Sequence, residues 1–380
     1  MGRIAAVILH APLGKGQGEQ LVEQGREAST KDLVRTLQQV GVERIILVSP
    51  DKTFAEHLRS LGVVPVSPVR GTRFHFGNTI KRVIASEKLD GILYFGSGSG
   101  GLLTEEQVEN LVSFSQRPER GALFNNFYSC DFFAVAKARD LVGADLPPID
   151  NPLGLVLSDL GFPCFALPRE AATQFDIDTP TDLLLLRATE RGGKEIRAFL
   201  EKQRLTHPSV SRLLERLVDR TAHLYLIGRV NPVTWSHFEA EVACRTSALI
   251  EGRGMRSYTD HQGELLSKVL DTIGIHRFFT WLAQSADAAI IDSRPLLSQG
   301  GQLPAPCERF ASDLLCPELI ENRLWAEFTR ETVASKIPIL LGGHSLLSGG
   351  LYLLAEACWK DRDLPRRLHP DMFDWRKESP

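Results

Sequence analysis

No stretch of the sequence approaches the ~18–20 consecutive apolar residues that a helix needs to cross a bilayer, so no helical membrane span and no membrane partner are expected. Cysteines are few and poorly spaced for metal or disulfide work. The six, Cys130, Cys164, Cys244, Cys307, Cys316 and Cys358, contain no C-x-x-C pair, which argues against a zinc knuckle or a disulfide framework. Most lie inside apolar runs, where a free thiol behaves as a small hydrophobe, and a reducing cytoplasm is the compartment this usage suggests. An excess of basic charge is also missing. Lys and Arg total 44 against 47 Asp and Glu, a net charge of −3, so nucleic acid held by bulk electrostatics is not expected. The Walker pattern G-x-x-x-x-G-K-[ST] is absent, and the two halves of the chain share no repeat.

What is present is an ordinary globular composition, 43% hydrophobic and 24% charged over 380 residues. At roughly 100–200 residues per domain this suggests two domains. The apolar opening Met1–Leu9 runs at once into Gly14, Lys15, Gly16 and Gly18. That reads as a buried strand entering a loop, not as a signal peptide.

The first half alternates strand and helix patterns. Strands are expected at Ile4–His10, Arg44–Val48, Val63–Val69 and Gly91–Phe95, and helices at Asp32–Val40, Phe54–Leu61 and Gly77–Ser86. Thr104 starts a further helix and forms a capping box with Gln107. The aromatic stretch Ala122–Val135, interrupted by Asn125 and Asn126, is a strand pair or an edge strand. Composition turns charged from Thr189 to Pro208. We therefore expect a first domain over 1–190, a helical connector over 191–206, a second α/β domain over 207–360 and a surface tail over 361–380. The second half repeats the grammar, with strands at Ala222–Ile227, Arg245–Ile250, Ala288–Asp292 and Ile337–Leu341. Helices fall at Trp235–Val242, Glu264–Ala283 (broken at Gly274) and Arg323–Ala334, and Ser345–Cys358 closes the series. The expected fold class is α/β: two open, mostly parallel, Rossmann-like sheets flanked by helices.

Glycines after a buried strand let backbone N–H groups approach phosphate oxygens, and Lys15 adds a point charge there. Gly14, Lys15, Gly16 and Gly18 are thus either a phosphate loop or a Gly-rich surface loop. Gly96, Gly98 and Gly101 spell G-x-G-x-x-G between a strand and a helix. The match sits on the fourth strand, and no clear acidic strand end follows about 20 residues later, so a dinucleotide site is not favoured. The glycines still leave room for a ligand phosphate to approach.

Four segments of residues 1–190 carry a family resemblance. They are Ala6–Ala11 with the Gly14–Gly18 loop, Leu89–Phe95 with Leu102–Glu106, Asn125–Asp131, and Phe175-Asp176-Ile177-Asp178-Thr179-Pro180-Thr181-Asp182-Leu183. In this order they resemble nucleotidyltransferases of the GT-A type, in particular the MobA-like and phospholactate guanylyltransferase-like groups. The resemblance implies attack of a phosphate on the α-phosphorus of a nucleoside triphosphate, with Mg2+ neutralising charge and pyrophosphate leaving. It implies Lys15 and Asp178 as catalytic residues, Asp178 as metal ligand, and Gly14, Gly16, Gly18, Gly96 and Gly98 as nucleotide-binding positions. Two departures stand out. Gly18 is followed by Glu19 and Gln20 where the family carries a basic residue. The position of the metal-binding Asp falls in Gly96-Ser97-Gly98-Ser99, which offers no anionic oxygen to a hard dication. Asp178 also has a structural reading, as the cap of a helix with Pro180 in its first turn.

In the second half several predicted strand ends carry Arg, acid, Ser or His beside glycine. Arg229, Arg253, Asp292, Arg294, Arg309, Asp313, His344 and Ser345 are the candidates for an anion-binding cleft. Arginine forks suit phosphate or carboxylate, and Gly342–Ser345 at a helix start suits an anion. The alternative is that these groups are solvated or paired with one another. Ser345 lies outside a G-x-S-x-G elbow and reads better as a cap than as a nucleophile. His10, ending the first strand, either touches a ligand or is hydrogen-bonded at the sheet edge.

Two functions are carried forward. One is Mg2+-dependent transfer of a nucleotidyl group from a nucleoside triphosphate to a small phosphorylated acceptor. In the other, the N-terminal domain has lost transfer chemistry and serves in binding or in dimerisation as a homodimer, while the C-terminal cleft acts as enzyme site or ligand sensor.

Overall fold

The computed structural model describes residues 2–69, 71, 73–203, 205–251, 264–298, 303–360 and 362. The first half runs Ile4–Leu9 (β1), Gln17–Gln39 (α1), Ile45–Val48 (β2), Lys52–Arg59 (α2), Val64–Val66 (β3), Phe76–Glu87 (α3) and Gly91–Gly96 (β4). It continues with Glu105–Ser115 (α4), Gly121–Phe124 (β5), Phe132–Ala136 (β6), Leu153–Asp159 (α5), Cys164–Ala166 (β7), Ala171–Gln174 (α6) and Pro180–Thr189 (α7). Lys194–Gln203 (α8) and Pro208–Leu217 (α9) lead to His223–Arg229 (β8), Pro232–Glu241 (α10), Arg245–Glu251 (β9), Glu264–Ile273 (α11), Ile275–Ser285 (α12) and Ala288–Asp292 (β10). The chain then forms Ser293–Leu297 (α13), Pro306–Asp313 (α14), Arg323–Ala334 (α15), Ile339–Gly342 (β11) and Gly349–Ala357 (α16).

The first sheet has seven strands in the order β3-β2-β1-β4-β6-β5-β7, and the second four in the order β11-β10-β8-β9. All pairings are parallel except those of β6, which runs antiparallel between β4 and β5. This is the expected α/β class, two sheets flanked by helices. Strands β1, β2 and β4 are continuous apolar runs because helices cover both of their faces. The 122–135 stretch is a strand pair inside the sheet. Asn125 pins its connection, accepting from the amides of Asp131 and Phe132 and donating to the Thr173 carbonyl. The Thr104–Gln107 capping box forms as expected. The break at Gly274 is real: its φ of 78° separates α11 from α12.

The largest departure is α1, which starts at Gln17 and not near Asp32. Its polar opening turns are helical because they bury Val22 and set Gly25 against the Leu183 side chain of α7. Helix α9 is a second departure from the sequence expectation. The segment near residue 206 falls between α8 and α9. One hydrophobic core runs through both halves, joining Val22, Phe175 and Leu183 to Leu224, Ile290 and Leu340. The expected tail over 361–380 lies almost wholly outside the described residues. No described helix is long and apolar enough to cross a membrane.

Candidate functional site

The carboxyl edge of the first sheet is where an open α/β fold binds ligands, at the point between β1 and β4 where the strand order reverses. The loop after β1 and the start of α1 lie there. Gly16 is the N-cap of α1, and its amide donates to Glu19 Oε2 at 2.7 Å. A Cβ on Gly14 would overlap the same carboxylate. One turn on, the Leu13 amide donates to Glu23 Oε2 at 3.2 Å. The cradle that Gly14 and Gly16 form therefore holds the helix's own Glu19 carboxylate, which is 7% exposed. The other glycines face protein as well. A Cβ on Gly16 would come within 2.9 Å of Cys307 Cβ, and one on Gly18, inside the first turn of α1, within 2.8 Å of Phe310 Cβ, both on α14. Lys15 stays exposed.

The loop after β4 is buried under α1. Ser97 accepts at its carbonyl from Thr30 Oγ1 (3.0 Å), and the Ser99 hydroxyl donates to the carbonyls of Gly96 and Asp131. Beside Gly98 lie Asp176, the Ile177 carbonyl and the Arg26 guanidinium, and beside Gly101 the Ser29 hydroxyl. The close approach that Gly98 and Gly101 permit is thus to other segments of this chain. Gly96 has looser neighbours, the Asp131 carbonyl and Ser99 Oγ.

In the segment 175–182, Arg26 donates to the Ile177 carbonyl and to Asp178 Oδ1, the latter at 2.8 Å. Asp178 does not cap α7. Thr179 is the N-cap, and Asp182 accepts from the amides of Asp178 and Thr179. Burial and the neighbouring Asp178 push the Asp182 carboxyl up to about 7. Asp176 forms a bridge with Ser99, and its Oδ1 is buried without a hydrogen-bond partner. Burial first, then Asp178 and Asp131, push its carboxyl well above the ordinary range. These residues fit Mg2+ poorly: an arginine already neutralises Asp178, and the hydroxyl of Ser99, which bridges to Asp176, is turned to backbone carbonyls.

In the second half the expected cleft residues are largely paired with one another. Arg229 forms a two-pronged pair with buried Asp292, at 2.6 and 3.1 Å. Arg294, 5% exposed, grips Asp313 at 2.5 and 2.7 Å and also donates to the Gly342 carbonyl and Ser293 Oγ. Burial opposes the Arg294 charge, but Asp313 more than offsets it and raises the group further. Burial raises the Asp313 carboxyl above its ordinary range, and the Arg294 guanidinium offsets part of that rise. His344 Nδ1 meets the Arg229 carbonyl at 3.2 Å. Arg309 is half-buried on α14, and Arg253 lies outside the described residues.

The Gly342–Gly350 segment is a packing surface between the halves. The Ser345 hydroxyl donates to the Asp176 carbonyl and accepts from the Asp176 amide. Thr181 Oγ1 donates to the Leu341 carbonyl at 2.6 Å. A Cβ on Gly343 would touch Thr179, and one on Gly349 would overlap the Phe175 backbone. Ser345 is thus a tie across this interface.

One group of functional type escaped the sequence reading as a set. His10, Glu23, Glu27 and Asp51 converge at the carboxyl edge of β1 and β2. Among the described residues His10 has no hydrogen bond through its ring, contrary to one expectation for it. Burial, then Arg26, lowers its imidazole to about 4, while burial and Asp51 raise the Glu27 carboxyl to about 7. The available signal was Glu23 and Glu27 at i,i+4, a repulsive helical pair, behind a strand ending in histidine.

No family model matches this sequence, and no curated protein matches it. Solved structures similar to it include nucleotidyltransferases and cytidylyltransferases. A cytidylyltransferase from Leptospira borgpetersenii is 12% identical with a TM-score of 0.38, covering 54% of this chain and 94% of that one. A nucleotidyl transferase from Methanothermobacter is 18% identical with a TM-score of 0.38, covering 53% and 99%. A glucosyl-3-phosphoglycerate synthase from Mycobacterium tuberculosis is 13% identical with a TM-score of 0.31, covering 44% and 70%.

Proposed function

We propose that this chain keeps a nucleotidyltransferase-like framework for binding and not for nucleotidyl transfer. Its N-terminal α/β half, over about 1–190, is docked on the C-terminal α/β half, and the loop that would receive a triphosphate is closed from within. One observation carries this reading: the Glu19 carboxylate sits in the Gly14–Gly16 cradle, taking the helix-start amide that an anion would use. A triphosphate entering there would meet a buried carboxylate in place of a basic group. The Arg26–Asp178 pair and the paired Arg229 and Arg294 point the same way, because each charge is already balanced by the protein.

Mg2+-dependent transfer to a small phosphorylated acceptor is the second reading. Lys15 and Asp178 favour it, since both remain exposed. It requires Glu19 to leave the cradle and Arg26 to release Asp178.

Thermal shift with each of the four nucleoside triphosphates, with and without Mg2+, separates the two. Ligands that bind the native state raise Tm by mass action. The binding reading expects no shift at millimolar nucleotide in wild type or in Asp178→Ala. A Mg2+-dependent rise in wild type that Asp178→Ala abolishes would establish the transfer reading instead.

A further inference from the structure

Among the described residues, one cluster gathers side chains of metal-ligating type: His10 at the end of β1, Glu23 and Glu27 on α1, and Asp51 after β2. One donor atom from each lies within 4.8 Å of every other. The cluster differs from an ordinary acidic patch in its histidine. His10 is 3% exposed, and neither ring nitrogen has a hydrogen-bond partner among the described residues. Leaving a buried polar group without a partner is costly, so its persistence calls for an occupant. The ring is held by its neighbours: its own amide donates to the Val48 carbonyl, and Phe54 lies 4.7 Å from it, centroid to centroid.

We propose that His10, Glu23, Glu27 and Asp51 bind one divalent transition-metal cation of the zinc or manganese type. Such ions accept imidazole nitrogen together with carboxylate oxygen, whereas Ca2+ and Mg2+ prefer all-oxygen shells. With metal–ligand bonds of ~2.0–2.2 Å, neighbouring donors around an ion lie roughly 3–4 Å apart. The observed spread closes to that by small rotations of the partly exposed carboxylates. Two of them already have one oxygen engaged, in the way ligand carboxylates are oriented. Glu23 Oε2 accepts from the Leu13 amide, and Asp51 Oδ1 accepts from the amides of Thr53 and Phe54. That leaves Glu23 Oε1 and Asp51 Oδ2 for a cation, and Glu27 accepts no hydrogen bond from the described residues. The three carboxylates are also mutually repulsive, with Glu23 and Glu27 one helical turn apart on α1. A dication removes that repulsion and satisfies the imidazole at once. The site uses neither the Gly16 amide nor Asp178, so it stands apart from the nucleotide question.

The test is calorimetric titration of metal-free, full-length protein with ZnCl2 and MnCl2, with MgCl2 alongside, in wild type, His10→Ala, Glu27→Gln and Cys307→Ser. The expected result is one zinc or manganese ion per chain, with Mg2+ at least about tenfold weaker. Each of His10→Ala and Glu27→Gln should weaken binding by about tenfold or more. Glu27→Gln is isosteric and partly exposed, so it carries the test by itself should His10→Ala fail to fold. No saturable binding below millimolar metal would overturn the proposal, as would binding unchanged in both variants. So would zinc binding without manganese binding that disappears in Cys307→Ser, which would place the ion on that exposed thiol.

Discussion

His207, the N-cap of α9, accepts from the Ser209 amide through Nδ1, while its Nε2 is buried without a partner. Burial lowers its imidazole from 6.5 to about 4. The folded ring is therefore neutral over a range where the unfolded ring takes up a proton. Its contribution to stability is complete above pH 6.5 and is lost as pH falls from 6.5 towards 4. The loss is on the order of 3 kcal/mol. His207→Asn keeps a cap and cannot titrate. Urea unfolding at several pH values should show a flatter slope between pH 4 and 6.5 for the variant, with the like-signed His10 contribution remaining in both proteins. Arg294 makes a separate prediction. Arg294→Met strands Asp313 and should cost ~3–5 kcal/mol, whereas Arg294→Met with Asp313→Leu should recover much of it. A double variant no more stable than the single one would show that the two residues do not act as a pair.

Among the elements, the central strands were legible because an apolar run of fixed length, such as Ile4–Leu9, has few alternatives to a buried strand. The helix break at Gly274 and the box at Thr104 were legible because their signals are local. The start of α1 was not, because residues 17–31 are polar in sequence and become helical through contacts with α7 and α14. The glycines misled for a related reason. Gly98, Gly343 and Gly349 do mark close approach, but to Asp176, Thr179 and Phe175, which lie far away in sequence. A lone sequence shows that a backbone must be approached, not by what. The Gly349 contact gives a test of element docking. Gly349→Ala would press a Cβ into the Phe175 backbone, which cannot yield as a side chain would. It should cost more than ~3 kcal/mol or abolish soluble protein, while Gly143→Ala, with nothing near its Cβ, should stay within ~0.5 kcal/mol. Similar melting temperatures for the two variants would contradict the docking described.

At the scale of the molecule, the α/β class and the succession of two sheets were legible, whereas their coupling was not. In the second half Arg229 and Arg294 are neutralised by Asp292 and Asp313, and His344 meets the Arg229 carbonyl. Ser345 ties the second half to the first, and one core runs beneath both. Calorimetry of the full chain should therefore show a single transition with a van't Hoff to calorimetric enthalpy ratio near one. Two resolved transitions would mean that the halves unfold independently. The binding reading of the first half turns on Glu19, whose carboxylate closes the first loop. The most direct measurement is calorimetric titration of wild type and Glu19→Ala with inorganic pyrophosphate. Removing the carboxylate should cost about 1 kcal/mol of stability through the lost cap. Wild type should show no saturable pyrophosphate binding, and Glu19→Ala should bind measurably, weakened again by Lys15→Ala. Tight binding in wild type that Glu19→Ala leaves unchanged would contradict that reading.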